Sequence, residues 1–456
     1  KVGLIAFIPP DYRQNLDASS DWRLYLFILG VSILIGVAFS LAPAIQAARQ
    51  VFAPGLRLES RSFTSAGRLL SLRSALILVQ VALSLPLLIS AALLLKTLQN
   101  LRSVDTGFAK ENVLFASVNP TLNGYSKEKT AAFYDNFLTR IRALPGVKFA
   151  SLATDSPISG GWDQSGIVVE GYTPREGERM TSDFTYNSSD YFRVLEIPFV
   201  AGRDFDQSDR IGAPKVVIVN EKMAKHYFGT TDVIGKRIGM DDVPDRTIVG
   251  VVKDAKYVNL RENIRRHVYV PITQESQTSL TLHVKTATEP QLVVEQLRAE
   301  LKNLDPHLPL YNIKTLATEI DQSLVQERMV TWLTAAFGLL ATLLTALGLY
   351  GVLTFSVARR TREIGIRVAL GAQRRDVFRL IMIRGVILVC VGIAIGLAAS
   401  IASSRLLSSL LFGVKPNSVG TLVGVSAGLI AVALLACYLP ARRATKVDPM
   451  VALRYE

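Results

Sequence analysis

The chain has 456 residues, 49% of them hydrophobic, with a formal net charge of +13 and a mean hydropathy of +0.30. So apolar a chain is not first a nucleic-acid binder, and its positive charge has to be located before it is interpreted. The two cysteines, Cys390 and Cys437, both fall in apolar stretches and exclude a disulfide scaffold.

The chain opens without Met, and "KVGLIAFIPPDY" reads as mid-chain. Residues 1–23 are therefore expected to be an extracytoplasmic remnant of a preceding unit. Crossing the hydrocarbon core takes about 20 apolar residues. Five uncharged stretches reach that length: 24–43, 75–95, 330–358, 385–403 and 420–440. The first is too long, and too far from the start, for a signal peptide.

Charge sets their orientation. The linker 44–74 carries five Arg and one acid, the loop 359–384 eight Arg and two acids, and the tail 441–456 four basic residues and two acids. The long segment 96–329 carries 29 basic and 30 acidic residues, and the short loop 404–419 only two basic ones. Lys and Arg resist translocation, so the basic connectors are predicted cytoplasmic and residues 96–329 extracytoplasmic, with the C-terminus inside. Nucleic acid is excluded as a partner, because the excess charge sits in juxtamembrane stretches.

A repeat frames the chain. "LAPAIQAARQVFAPGLRLE" (41–59) follows the first span and "YLPARRATKVDPMVALRYE" (438–456) the last. In both, Pro43 or Pro440 is expected to end the helix. The first span then closes one unit, and residues 75–456 form a second, complete unit.

Within 96–329 strand and helix patterns alternate. Strands are predicted at 112–118, 147–154, 215–220, 246–254 and 280–286. Helices are predicted at 126–144, capped by Ser126 and stopped by Pro145-Gly146, and at 289–304, opened by Glu289-Pro290. The fold class is a multi-pass α-helical membrane protein with a large α+β extracytoplasmic domain, read as two subdomains. His226, His267, His283 and His307 lack metal-ligand spacing and are read as surface or interface residues. "GTTDVIGKR" (229–237) has one residue too many for a phosphate loop and reads as a turn. "GVSAG" (424–428) matches a nucleophile elbow but lies inside a span. No catalytic, metal or cofactor site is expected in the chain.

The loop 359–384 is predicted to be an amphipathic helix on the cytoplasmic surface, running into the fourth span. Arg360, Arg367 and Arg374 would share a face, Glu363 would pair with Arg367, and Ile366, Ala369, Leu370, Val377, Leu380 and Ile381 would form its apolar stripe. Gly371 would break or bend it. In the last two spans Gly392, Gly396 and Ser400, and Gly420, Gly424 and Gly428, have the small-xxx-small spacing of close helix packing, as Ser32, Gly36 and Ser40 do in the first.

"RRTREIGIRVALGAQRRDVFRLIM", followed by a hairpin and "LPARRATKVDPMVALRYE", resembles the C-terminal membrane region of FtsX-like permeases of ABC systems. "SSDYFRVLEIPFVAGRDF" (188–205), "PKVVIVNEKMAKHYFG" (214–229), "VIGKRI" (233–238), "RTIVGVVKDAK" (246–256) and "VYVPI" (268–272) resemble a MacB-type periplasmic core domain. The resemblance covers residues 75–456 and looks like the duplicated permeases of that family. It implies a permease in the cell membrane, coupled to a separate cytoplasmic ABC ATPase. Arg360, Glu363, Ile364, Gly365, Ile366, Arg367, Gly371, Ala372 and Arg374 would touch that partner. Stalks at 96–104 and 317–332 would carry motion to the outer domain by mechanotransmission, for efflux or envelope substrate handling. Membrane lipid, a second copy or the preceding unit, and a periplasmic adaptor are the further partners implied. The competing reading is an orphan membrane sensor or envelope regulator without transport.

Overall fold

The computed structural model describes residues 22–23, 25–33, 37 and 72–445, except 162, 241, 242, 276, 360 and 372. The first expected span, both copies of the terminal repeat except its 438–445 portion, and the linker 44–71 lie largely or wholly outside the described residues. Two compact units are present, 1–99 with 327–456, and 100–326.

The chain enters through helix α1 (Leu72–Arg102). The second unit then runs β1 (Val113–Val118), α2 (Lys127–Arg142), β2 (Val147–Ala153), β3 (Asp163–Gly166), β4 (Val168–Val169), β5 (Thr181–Asn187), α3 (Tyr191–Leu195), β6 (Phe199–Gly202), β7 (Val216–Asn220), α4 (Glu221–Phe228), β8 (Arg237–Gly239), β9 (Arg246–Val252), β10 (His267–Pro271), β11 (Leu280–Thr286), α5 (Gln291–Leu304), β12 (Tyr311–Thr315) and α6 (Leu316–Ser323). The membrane unit resumes with α7 (Val325–Arg359), α8 (Thr361–Ala369), α9 (Arg374–Leu407) and α10 (Val419–Ala444).

The strands of the second unit make one sheet in the order β12-β1-β11-β2-β5-β10-β7-β9-β8-β4, with β3 on β5 and β6 on β9. The two expected subdomains are two cores on that sheet. Phe137, Ile141, Leu152, Leu282 and Leu297 pack beneath α2 and α5. Val217, Val219, Met223, Ile248 and Val268 pack around α4. The halves join where β2 meets β5 through the single pair Ala153–Asn187.

Local signals placed the helices well. Ser126 caps α2 by accepting from the Lys129 N–H at 3.4 Å, and Pro290 opens α5; α4, which is not among the helices predicted from the sequence, is capped by Asn220, which accepts from the Met223 N–H at 3.0 Å. The stretch 229–236 is a turn leading into β8, and Gly229 ends α4 at φ +72°. The short strands β3, β4, β6 and β8 carry too few alternating residues to be seen by periodicity.

Two of the histidines expected at the surface are in the interior. His267 is 3% exposed and His283 is fully buried, because both stand on central strands. His283 Nδ1 lies 2.9 Å from the Thr281 carbonyl and so carries the proton; its Nε2 accepts from Ser156 Oγ at 3.1 Å. His267 stacks on Tyr257 at 4.2 Å and meets Thr185 Oγ1 at 2.9 Å. Burial pulls both imidazoles down, His267 to about 3 and His283 to about 4.

Among the described residues of the membrane unit four helices are long and apolar enough to cross a bilayer, Ser74–Arg102, Val325–Ala358, Arg374–Ser404 and Val419–Ala444. They match the second to fifth expected spans. Pro440 does not end the last: α10 continues to Ala444 with Pro440 inside it, as membrane helices tolerate. Thr334, Thr342 and Thr345 return their hydroxyls to the carbonyl four residues earlier, at 2.7–2.8 Å, whereas the buried Thr354 Oγ1 and Ser426 Oγ have no partner among the described residues.

Helix α1 is gripped by glycines from two sides. A Cβ at Gly338 or Gly348 of α7 would stand 3.1 Å from Leu88 and 3.0 Å from Gln80. On α9, a Cβ at Gly392 would lie 2.7 Å from Val81, and one at Gly396 3.0 Å from the Ala82 carbonyl. That carbonyl is left free by Pro86, which has no N–H to offer it. Lipid chains are as apolar as Leu, so such close backbone approach is the main source of helix association.

Candidate functional site

The connection between α7 and α9 gathers the residues singled out in the sequence. Its anchor is Ile364, 4% exposed, which packs with Leu353, Val377 and Ile381 in the membrane-unit core. Gly365 beside it is also buried. On the other side of α8, Glu363 Oε1 pairs with Arg367 Nη2 at 2.8 Å, as the spacing of four predicts. Both side chains are about half exposed (46% and 51%), so the pair contributes only a few tenths of a kcal/mol.

The expected continuous helix is broken. Gly371 adopts φ +94°, a left-handed conformation that L side chains resist. Helix α8 ends at Ala369, and Gln373 is extended (φ −73°, ψ 151°) before α9 begins at Arg374. Asp376 Oδ2 accepts the Gln373 N–H at 3.1 Å and fixes the new start. The break splits the predicted stripe. Val377 and Ile381 are buried in the bundle at 4% and 8% exposure, whereas Ile366 and Leu370 are 43% and 83% exposed. For the same reason Arg367 and Arg374 no longer belong to one helical face. Arg360 and Ala372 lie outside the described residues.

The loop is thus a short helix fastened by Ile364 and Gly365. It presents Ile366 and Leu370 beside the Glu363–Arg367 pair, with Arg374 exposed just beyond the break. Leu370, at 83% exposure, is therefore no part of the bundle core. The sequence pattern put Leu370 inside the stripe; only the φ of Gly371 turns it outward.

Of the glycines expected to pack helices, Gly392 and Gly396 do so against α1. At Gly420, Gly424 and Gly428 a Cβ would meet nothing within 4 Å, so their expected packing has no counterpart among the described residues. Gly338, Gly348 and Gly385 were not singled out in the sequence. Gly385 lets α9 approach α10, where a Cβ would lie 2.7 Å from Cys437 Sγ.

Comparison with known proteins agrees with these elements. A family model described as MacB-like periplasmic core domain matches residues 74–304, and one described as FtsX-like permease C-terminal matches residues 335–449. The macrolide export ATP-binding/permease protein MacB 2 of Aeromonas hydrophila is 28% identical over 59% of this chain and 42% of its own length. The corresponding MacB of Wolinella succinogenes is 25% identical over 80% of this chain and 59% of its own. An uncharacterized ABC transporter permease of Bacillus subtilis, YknZ, is 25% identical over 72% of this chain and 80% of its own. The chain therefore spans about half the length of the two MacB relatives.

Proposed function

Since this chain belongs to the ABC transporter permeases that join a MacB-like periplasmic core domain to an FtsX-like C-terminal region, we propose that it couples a separate cytoplasmic ATPase to movement of residues 100–326 on the far side of the membrane. The observation that carries this reading is the α8 connection, rooted in the bundle by Ile364 and offering Ile366, Leu370 and Arg367 outward. A partner that pushes on α8 pushes on Ile364, and through it on α7 and α9. Helix α1 runs without interruption to Arg102 and α7 from Val325, so a shift near α8 travels along stiff rods. The arginines of 359–384 hold this connection in the cytoplasm, and near an anionic leaflet each adds about 1 kcal/mol of lipid attraction.

The spans carry no charged residue between 75 and 95, 330 and 358, 385 and 403, or 420 and 440. A polar cargo has no path of ionisable groups through this unit, so the work is done on a molecule already outside. The relatives named for macrolide export support efflux as the direction. Gly420, Gly424 and Gly428 then serve packing against a second copy or a preceding unit.

The test is ATPase coupling. The chain is co-reconstituted with the ATPase that co-purifies from native membranes. Leu370→Asp and Arg367→Glu should each lower permease-stimulated hydrolysis roughly tenfold, the size of a lost interface anchor, with insertion unchanged. Stimulation at the level of the parent chain in both variants, or no co-purifying ATPase, would favour the sensor reading.

A further inference from the structure

The second unit contains a cavity of about 370 Å³ that the coupling role does not use. Gln164 of β3, Asp183 of β5, Lys222 and His226 of α4, and Arg265 and Arg266 just before β10 line it. Cavities of this size are typical of small-molecule sites.

Its basic wall is preorganised. The Arg265 carbonyl accepts from Asn220 Nδ2 at 2.8 Å. The Arg266 carbonyl accepts from the Asp183 N–H at 3.0 Å and from Ser182 Oγ at 2.9 Å. Both backbones are thereby fixed, so the two guanidinium groups leave from defined points. The Arg266 guanidinium lies 5.3 Å from the Tyr227 ring centroid, with Nη1 3.0 Å from His226 Nε2, which itself donates to Glu178 Oε1 at 2.8 Å.

Charge along the lining is unbalanced. Three permanent cations face one carboxylate, Asp183, which is 2% exposed and receives the Gln164 amide at 3.2 Å. Two other carboxylates touch the cluster from behind, and each has further donors. Glu262 Oε1 accepts the Tyr257 and Val258 N–H groups at 2.6 and 2.9 Å. Glu178 Oε2 accepts the Tyr172 hydroxyl at 2.8 Å, and its Oε1 meets His226 Nε2 at 2.8 Å and Arg266 Nη1 at 3.9 Å. Arg265 reaches Asp183 at 3.5 Å and Glu262 at 3.4 Å.

We propose that this cavity binds a phosphate group, held by Arg265, Arg266 and Lys222 with His226 at its edge. Donors converge from a helix and a loop. A tetrahedral oxyanion uses such an array more fully than a planar carboxylate does. The volume far exceeds the roughly 30 Å³ share of one water, so the ligand is a phosphate ester with an organic part, which Ile264 flanks. A soluble ester and a phospholipid headgroup share this chemistry.

The probes are glycerol 3-phosphate and short-chain phosphatidylglycerol, titrated calorimetrically into the whole detergent-solubilised chain. Saturable binding of at least one is expected, weakened roughly tenfold by Lys222→Ala and by Arg265→Ala and tightened by Asp183→Asn, which removes the opposing charge. Tighter binding of the lipid assigns a headgroup site, and tighter binding of glycerol 3-phosphate a soluble ligand. Lys222 is exposed, so Lys222→Ala keeps the fold and reads binding alone. Failure of both probes to saturate, or equal binding by the parent chain and Lys222→Ala, would reduce the cluster to an ion-pair clamp between β5 and β10.

Discussion

Between pH 7 and pH 5, amides of β10 and β11 should lose protection from hydrogen exchange by about a hundredfold, after correction for the intrinsic rate. The cause is the buried pair of imidazoles. In the unfolded chain both titrate near 6.5; in the fold His267 is held to about 3 and His283 to about 4. From 6.5 down to 4 the unfolded chain binds more protons than the fold, so stability is present above 6.5 and lost as pH falls. At about 1.36 kcal/mol per unit, each histidine removes about 2 kcal/mol by pH 5. Asp204 works in the opposite direction. Burial raises it to about 6, against the N–H groups of Phe205 and Asp190, so the fold gains protons as pH falls from 6 toward 4. That returns about 1 kcal/mol by pH 5, and the histidines win. His267→Phe should remove about two-thirds of the net acid loss, about 2 of roughly 3 kcal/mol, while keeping the stack on Tyr257. Protection unchanged from pH 7 to pH 5 would contradict the account of these two side chains.

Gly392→Leu is expected to cost the membrane unit several kcal/mol, seen as a marked drop in the melting temperature of the detergent-solubilised chain. A Cβ there already falls 2.7 Å from Val81 Cβ and Cγ1, and Leu adds three more carbons in the same direction. Val81 is fully buried on a helix also held by Gly338 and Gly348 of α7, so it cannot yield. Overpacking in a tight core costs about 1–3 kcal/mol or more, and separating the helices forfeits the contacts that drive their association. Gly424→Leu is the matched control: no described residue lies within 4 Å of a Cβ there, so the single chain should melt as the parent does. Equal melting of Gly392→Leu and the parent would remove the glycine grip on α1.

Sequence periodicity located the second to fifth spans, two helices of the outer unit and its longer strands, because each repeats a simple pattern or is bounded by a strong local signal such as Ser126 or Pro290. It failed where the third dimension decides. His267 and His283 sit in patterns no different from surface strands, and only the sheet order makes β10 and β11 central. Leu370 fits a stripe that Gly371 dissolves by taking φ +94°. Small-xxx-small spacing is shared by α9 and α10, yet among the described residues only the glycines of the first meet a neighbour. Gly348 was not noticed because its neighbour Gln80 lies 268 positions away. The cavity lining comes from residues 164 to 266, and no short window holds them together.

The coupling account requires that α8 and the second unit lie on opposite sides of the membrane. In a Cys390→Ser, Cys437→Ala background, Ile211→Cys and Leu370→Cys place single thiols at positions 72% and 83% exposed. A membrane-impermeant maleimide applied to spheroplasts should label position 211 at once and position 370 only after lysis. Labelling of position 370 in intact spheroplasts, with position 211 protected until lysis, would contradict it.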